Sequence, residues 1–332
     1  MKLPVYKDLP FGITCIDTEQ QRAGMAACFL IQHGGAAALV ECGTSHSVPS
    51  LLELLAHKGI PREQVAYVMP THVHLDHAGG ASALMRELPN AKLVAHPRGA
   101  RHFIDPTQLI AGATEVYGPA AMQKMYGKLE PIAEDRVIVA NDGYTLSLNG
   151  RELKFIDTPG HARHHYSVWD AHSQGFFTGD TFGLSYREFD NNSGPWILPT
   201  TTPVQFEPEA WEQTLERYLS FQPTRMYLTH YGMIENVAQR AAELRRGLRE
   251  YVSIAETLAN APRRHAQIKE ALMRLALHEL ADRDCELPEL RCRGLLEADM
   301  ELSAQGLGVW LDKRKKAVVK PDPQKVIPLR KR

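Results

Sequence analysis

The stretch THVHLDHAGG, residues 71–80, places three histidines and an aspartate within six positions. Imidazole nitrogen and carboxylate oxygen are ligands that Zn²⁺ accepts at about 2.0 to 2.2 Å. In a turn at a strand end, residues two apart can both face inward. The spacing therefore lets His72 and His74 share one ion while Asp76 and His77 reach a second. Gly79 and Gly80 are expected to let the chain turn closely past the ions. An isolated histidine is more often a surface or core residue than a ligand, and the hexapeptide alone does not separate the two readings. The chain downstream does. His161 follows LKFID in TPGH, Asp180 follows GFFTG, and His230 follows RMYLT. Each lies just beyond a short apolar run, where open α/β sheets place their binding sites. Seven ligands from the ends of four strands suit two ions with one carboxylate between them.

The elements that must position these residues are legible as short apolar runs. ACFLIQ (27–32), AAALVEC (36–42), VAYVM (65–69), KLVAH (92–96), RVIVA (136–140), LKFID (153–157), YSVWD (166–170), GFFTG (175–179) and RMYLT (225–229) read as strands. SVPSLLELLAHKG and GASALMRELPN read as helices between them. This mixed α/β texture ends near Gly232. Beyond it, apolar residues recur at helical spacing with few glycines. We therefore expect a catalytic domain over residues 1–232, a helical appendage over 233–311 and a basic, extended tail over 312–332.

In combination, THVHLDHAGG, DTPGHARHHYSVWD, FFTGDTFG and YLTHYG resemble the metallo-β-lactamase-fold hydrolase superfamily, with its glyoxalase II-like and lactonase-like branches nearest. The resemblance implies a four-layer αββα sandwich with the site along one edge of its two sheets. It assigns His72, His74 and His161 to one metal, Asp76, His77 and His230 to a second, and Asp180 to both. It further implies a metal-bridging hydroxide attacking a small ester, thioester or lactone, with Asp76 as the catalytic proton shuttle. The cofactors would be two divalent ions, zinc first, with iron and manganese compatible with the same donors. Two alternatives stay open: a mononuclear iron persulfide dioxygenase of the same fold, and a phosphodiesterase or nuclease.

Other residues carry weaker expectations. Residues 183–208 form a long stretch marked by Pro and Gly directly after Asp180, and a loop of that length in a compact domain is usually functional. Tyr186, Arg187 and Trp196 are its candidate substrate contacts. Thr71, Asp157 and Thr229 are placed to orient ligand imidazoles, and His164 and His165 are candidate proton relays. Lys plus Arg number 38 against 39 Asp plus Glu, so no global field points to nucleic acid or an anionic membrane. A small-molecule substrate is the expected partner, and the helical appendage leaves room for an oligomer. Five scattered cysteines without CxxC spacing, a start lacking an apolar signal segment, and no long apolar run predict a cytoplasmic protein.

Overall fold

The computed structural model describes residues 3–319. Strands β1 (Tyr6–Leu9), β2 (Ile13–Asp17), β3 (Ala27–His33), β4 (Ala36–Val40), β5 (Val65–Met69), β6 (Lys92–Ala95) and β7 (Val137–Val139) lie side by side in one sheet. Strands β8 (Thr145–Leu148), β9 (Arg151–Asp157), β10 (Tyr166–Asp170), β11 (Gly175–Phe177), β12 (Arg225–Leu228) and β13 (Gly232–Ile234) form the other. The expected strands are all present; most end as expected or sooner, while β3 and β9 run longer, to His33 and from Arg151. The hairpin β1–β2 and the strands β8 and β13 were not expected from the sequence.

Strand β3 shows how the sequence makes layers. Side chains alternate across a strand, and here both faces are apolar because both are covered. Ala27, Phe29 and Ile31 enter the cluster between the sheets with Phe155, Phe177 and Tyr227. Cys28 and Leu30 face the opposite way, into a cluster with Leu51, Leu55 and Leu84. Those leucines belong to α1 (Val48–His57) and α3 (Ala81–Glu87), which flank the one-turn helix α2 (Leu75–Ala78). Helices α4 (Ala100–Ile104), α5 (Thr107–Tyr117) and α6 (Pro119–Tyr126) follow β6.

The outer face of the second sheet carries Ile156, Phe176, Met226 and Leu228. They pack against Trp211 and Leu215 of α7 (Pro208–Ser220) and the apolar stripes of α8 (Val237–Thr257), α9 (Arg264–Asp282) and α10 (Glu289–Val319). Helices outside two packed sheets give the expected αββα sandwich. Phe182, Tyr186, Phe189 and Trp196 lie in the same apolar cluster, so the C-terminal helices are stitched to the loop after Asp180. Helix α10 also corrects an expectation: residues 312–319 are helical rather than extended. The Arg264 guanidinium pairs with Asp312 at 2.8 Å, and Arg314 lies over the Trp310 ring, which extends the helix past its last buried turn. The rest of the expected tail, 320–332, lies outside the described residues. Among the described residues, no helix is long and apolar enough to cross a membrane.

Strand direction decides where the site falls. Strands β4 and β5 run parallel, as do β11 and β12. Because β9 and β11 are both antiparallel to β10, β9 points the same way as β11. The C-terminal ends that deliver residues 41, 72–77, 161, 180 and 230 therefore gather on one edge of the sandwich.

Candidate metal centre

Residues 71–73 form a bend after β5 that brings His72 and His74 together; from the extended His74 the chain enters the turn of α2, where Asp76 and His77 diverge from them. Two groups of donors result: His72, His74, His161 and Asp180, and Asp76, His77 and His230. His74 Nδ1 lies 2.8 Å from His72 Nε2 and 3.0 Å from His161 Nε2. Asp180 Oδ2 is 3.2 Å from His161 Nε2, whereas its Oδ1 is 3.2 Å from His77 Nε2 and 3.6 Å from His230 Nε2. Asp76 Oδ2 stands 3.4 Å from both His77 Nε2 and His230 Nε2. Donor atoms around a tetrahedral ion with bonds of about 2.0 to 2.1 Å stand roughly 3.3 Å apart, so both groups have the right span.

The outward nitrogens set the tautomers. The Thr71 hydroxyl donates to Glu41 Oε1 at 2.6 Å, so it can only accept from His72 Nδ1, 3.0 Å away. His161 Nδ1 donates to the Thr200 carbonyl at 3.0 Å and His230 Nδ1 to the Met25 carbonyl at 2.7 Å. His77 Nδ1 donates to Glu41 Oε1 at 2.9 Å. His72 and His161 therefore aim bare Nε2 lone pairs at one point, with at most one proton, on His74, to share among three nitrogens. Among the described residues, His77 Nε2 and Asp180 Oδ1 are buried without any hydrogen-bond partner. Buried polar atoms left in this state are costly; both face the second group, where a cation would relieve them. The residues of both groups fit divalent metal ions.

Glu41 is the residue that the sequence reading missed. It is buried, ends the apolar run of β4 with a positive φ of 65°, and gathers Thr71, His77 and the Thr229 hydroxyl, 2.9 Å away. Thr71 and Thr229 thus lie beneath the donors as expected, Thr71 directly on His72 Nδ1 and Thr229 through Glu41. Asp157 does not; its carboxylate accepts from His96 Nε2 at 2.9 Å. His165 is a strut rather than a relay: Thr158 Oγ1 lies 2.9 Å from its Nδ1, and its Nε2 accepts the Asp180 backbone N–H at 3.3 Å. Gly179, at a φ of 50°, lets the chain pass His165 and Thr71; a Cβ there would sit 2.4 Å from each. Gly80 serves packing, not ion approach, since a Cβ would meet the Cys42 carbonyl at 2.4 Å.

The charge state divides along the same line. Burial holds His72 well below the ordinary imidazole range and pushes His74 down to about 3, and it lowers His161 as well. These rings are neutral and ready to ligate. At His77 burial opposes the charged form, but Asp180, Asp76 and Glu41 outweigh it and raise the pKa well above its usual value. His230 is also raised: burial is overcome by its hydrogen bond to Asp76 and by Asp180. Asp76 and Asp180 are lowered in turn, because these cationic imidazoles prevail over burial. The second group demands positive charge and, without a metal, takes it as protons.

The expected substrate contacts have other partners. Trp196 is a correction: it is buried among the C-terminal helices and its indole N–H donates to Glu279 Oε2 of α9 at 2.9 Å. Tyr186 is buried too, with its hydroxyl donating to Asp299 Oδ1 of α10 at 3.1 Å and Arg22 over its ring. The Arg187 guanidinium binds the Ser185 carbonyl and Asp190. Tyr186 and Trp196 thus hold the loop to the helices, and Arg187 braces the loop itself. Among the donors themselves, only His74 and Asp76 are partly exposed, which puts the mouth of the site beside them.

The family model described as the metallo-beta-lactamase superfamily matches residues 22–230. Over 200 residues, 59% of this chain and 69% of the relative, the chain is 26% identical to the metallo-beta-lactamase fold-containing protein ST1585 of Sulfurisphaera tokodaii. It is 25% identical over 209 residues to an atrochrysone carboxyl ACP thioesterase of Aspergillus fumigatus, covering 63% of this chain and 52% of that one. With a hydroxyacylglutathione hydrolase of Aeromonas hydrophila it shares 28% identity over 153 residues, 46% of this chain and 45% of that one. The chain spans about half the length of these last two relatives. The solved structure of TTHA1429, a metallo-beta-lactamase family protein from Thermus thermophilus, superposes with a TM-score of 0.61 at 19% identity, covering 94% of this chain and 93% of that one.

Proposed function

The chain belongs to the metallo-β-lactamase superfamily, and from that premise we propose that it is a dinuclear metal-dependent hydrolase of a small ester, thioester or lactone. One observation carries the reading: Asp180 turns one carboxylate oxygen to each donor group, 3.2 Å from His161 Nε2 on one side and from His77 Nε2 on the other. A single ion in the first group would leave the orphaned His77 Nε2 and Asp180 Oδ1 unrelieved, and one in the second would leave the converging nitrogens of His72, His74 and His161 unused, which weighs against a mononuclear iron oxygenase. Zinc suits the mixture of imidazole and carboxylate donors.

Two bound cations supply an acidified water, with a pKa brought toward ~7, and a Lewis acid for the scissile carbonyl. The chain's own residues do the rest. His72, His74 and His161 with Asp180 would hold the first ion, and Asp76, His77 and His230, with Asp180 between the groups, the second. Asp76 is partly exposed at the mouth, with Oδ2 committed to His77 and His230, so its other oxygen is placed to take the proton released by the attacking water and pass it to the leaving group. His165, through the Asp180 backbone, keeps the shared carboxylate aimed at both groups. The relatives named as a thioesterase and a hydroxyacylglutathione hydrolase support thioesters as the first class to try.

The test is a hydrolysis screen over thioesters, carboxylic esters, lactones, β-lactams and phosphodiesters, with metal content measured on the same preparation. The expected result is chelator-sensitive cleavage of a thioester or ester with about two ions per chain. One iron per chain with oxygen consumption on a persulfide, and no hydrolysis, would overturn it.

A further inference from the structure

A cavity of about 350 Å³ opens beside the centre, lined by Arg98, Arg101, His102, Arg163, His164 and Gln205. Three separate segments converge on it: the turn after β6 that leads into α4, the β9–β10 connection just beyond His161, and the loop after Asp180. His164 is the wall between cavity and centre. Its ring lies 5.6 Å, centroid to centroid, from His74 and 6.1 Å from His72. It is 9% exposed, and its Nδ1 is buried without a hydrogen-bond partner among the described residues.

The lining is strongly cationic in a chain whose net charge is −1. Glu207 pairs with Arg163, and the Gln205 side-chain oxygen accepts the Arg163 backbone N–H at 2.8 Å. Among the described residues, Arg98 and Arg101 have no such carboxylate: Arg98 reaches only the Arg163 carbonyl at 3.4 Å and Arg101 only His102 Nε2 at 3.4 Å. Two guanidiniums held close without a counter-ion repel each other, and their fork geometry matches a carboxylate or phosphate.

We propose that this cavity is the anion-binding end of the substrate site, so that the substrate is an anionic ester or thioester whose carboxylate or phosphate is taken by Arg98 and Arg101, with Arg163 at the rim. The inference rests on the hydrolase reading for the word substrate, but not for the binding of the anion. One imidazole separates the cavity from the His72, His74 and His161 nitrogens, so a short anionic chain anchored at the arginines brings its scissile carbonyl to the mouth at His74 and Asp76. Neutral esters of the same length lose that anchor.

The experiment is calorimetric titration of the metal-loaded full chain with succinate and, separately, inorganic phosphate, at low and high salt. We expect one of the two to bind, more weakly at high salt, with its Kd raised roughly tenfold or more in R98A/R101A and largely restored in R98K/R101K. The preferred anion identifies the group on the substrate. Both arginines are exposed, and an unchanged melting temperature checks that the variants fold. Anion held by the metals alone would not respond to these changes. Failure of both anions to bind, or binding indifferent to the double alanine variant, overturns the cavity proposal even if the enzyme hydrolyses esters. Arginine-dependent binding without any hydrolysis keeps the cavity and removes the hydrolase reading.

Discussion

His77 Nδ1 donates a hydrogen bond to Glu41 Oε1 over 2.9 Å, and the same carboxylate oxygen takes the hydroxyls of Thr71 and Thr229. One buried carboxylate therefore fixes a donor of the second group directly and, through Thr71, the tautomer of His72 in the first.

Replacing Glu41 should accordingly weaken both groups, the second more. For Glu41→Gln, which keeps the volume, we expect a loss of about 10- to 100-fold in metal affinity, read by competition with a chromophoric chelator. A Glu41→Gln protein that holds both ions as tightly as the parent would remove Glu41 from this role.

The donors were legible from sequence because each follows within a few residues of a strand end or in the turn that leaves it, and the strands themselves are short, apolar and close to regular. Glu41 was not, although the signal was present: a carboxylate closing the apolar run AAALVEC must be buried with partners or be exposed, and the run gives it no exposed face. Its partners are 30, 36 and 188 residues away, distances over which local pattern carries no information. Trp196 misled for the same reason. An aromatic in a loop after Asp180 suggests a ligand contact, but the residue that takes its indole N–H lies 83 positions on, in a helix whose packing no local rule predicts. The hairpin β1–β2 was hidden because β1, YKDL, has two exposed central residues and no apolar run.

The two donor groups should differ in the pH dependence of metal binding. His72, His74 and His161 are already unprotonated, because burial lowers their pKa values. His77 and His230 hold protons more tightly than ordinary imidazoles, and a metal must displace them. As pH falls, protons compete at the second group first, so its affinity drops while that of the first changes little. Calorimetry in buffers of different ionisation enthalpy should show about one proton or more released with the second ion and less with the first. Equal proton release at both steps would contradict the assignment.

Asp299 offers a stability test away from the donors. It reaches Tyr186 from α10 and is only partly exposed. Burial, with Asp180 adding in the same direction, pushes its carboxyl up to about 6 against the opposing influence of His230, Tyr186 and Arg22. The folded pKa lies above the unfolded value of about 3.9, so between these values the native chain binds more protons than the unfolded one. The neutral form's contribution is complete below about pH 4 and is lost as pH rises through about 6. Asp299→Asn, whose amide oxygen still accepts from Tyr186, should match the parent at pH 4 and exceed it at pH 8. Two units would correspond to roughly 3 kcal/mol; partial exposure reduces this to about 1–2 kcal/mol. Denaturant unfolding of the chelator-treated protein at the two pH values measures it. An asparagine variant that is less stable at pH 8 would show that the carboxylate stabilises the folded chain, and one that gains equally at both pH values would show that its carboxyl is not shifted on folding.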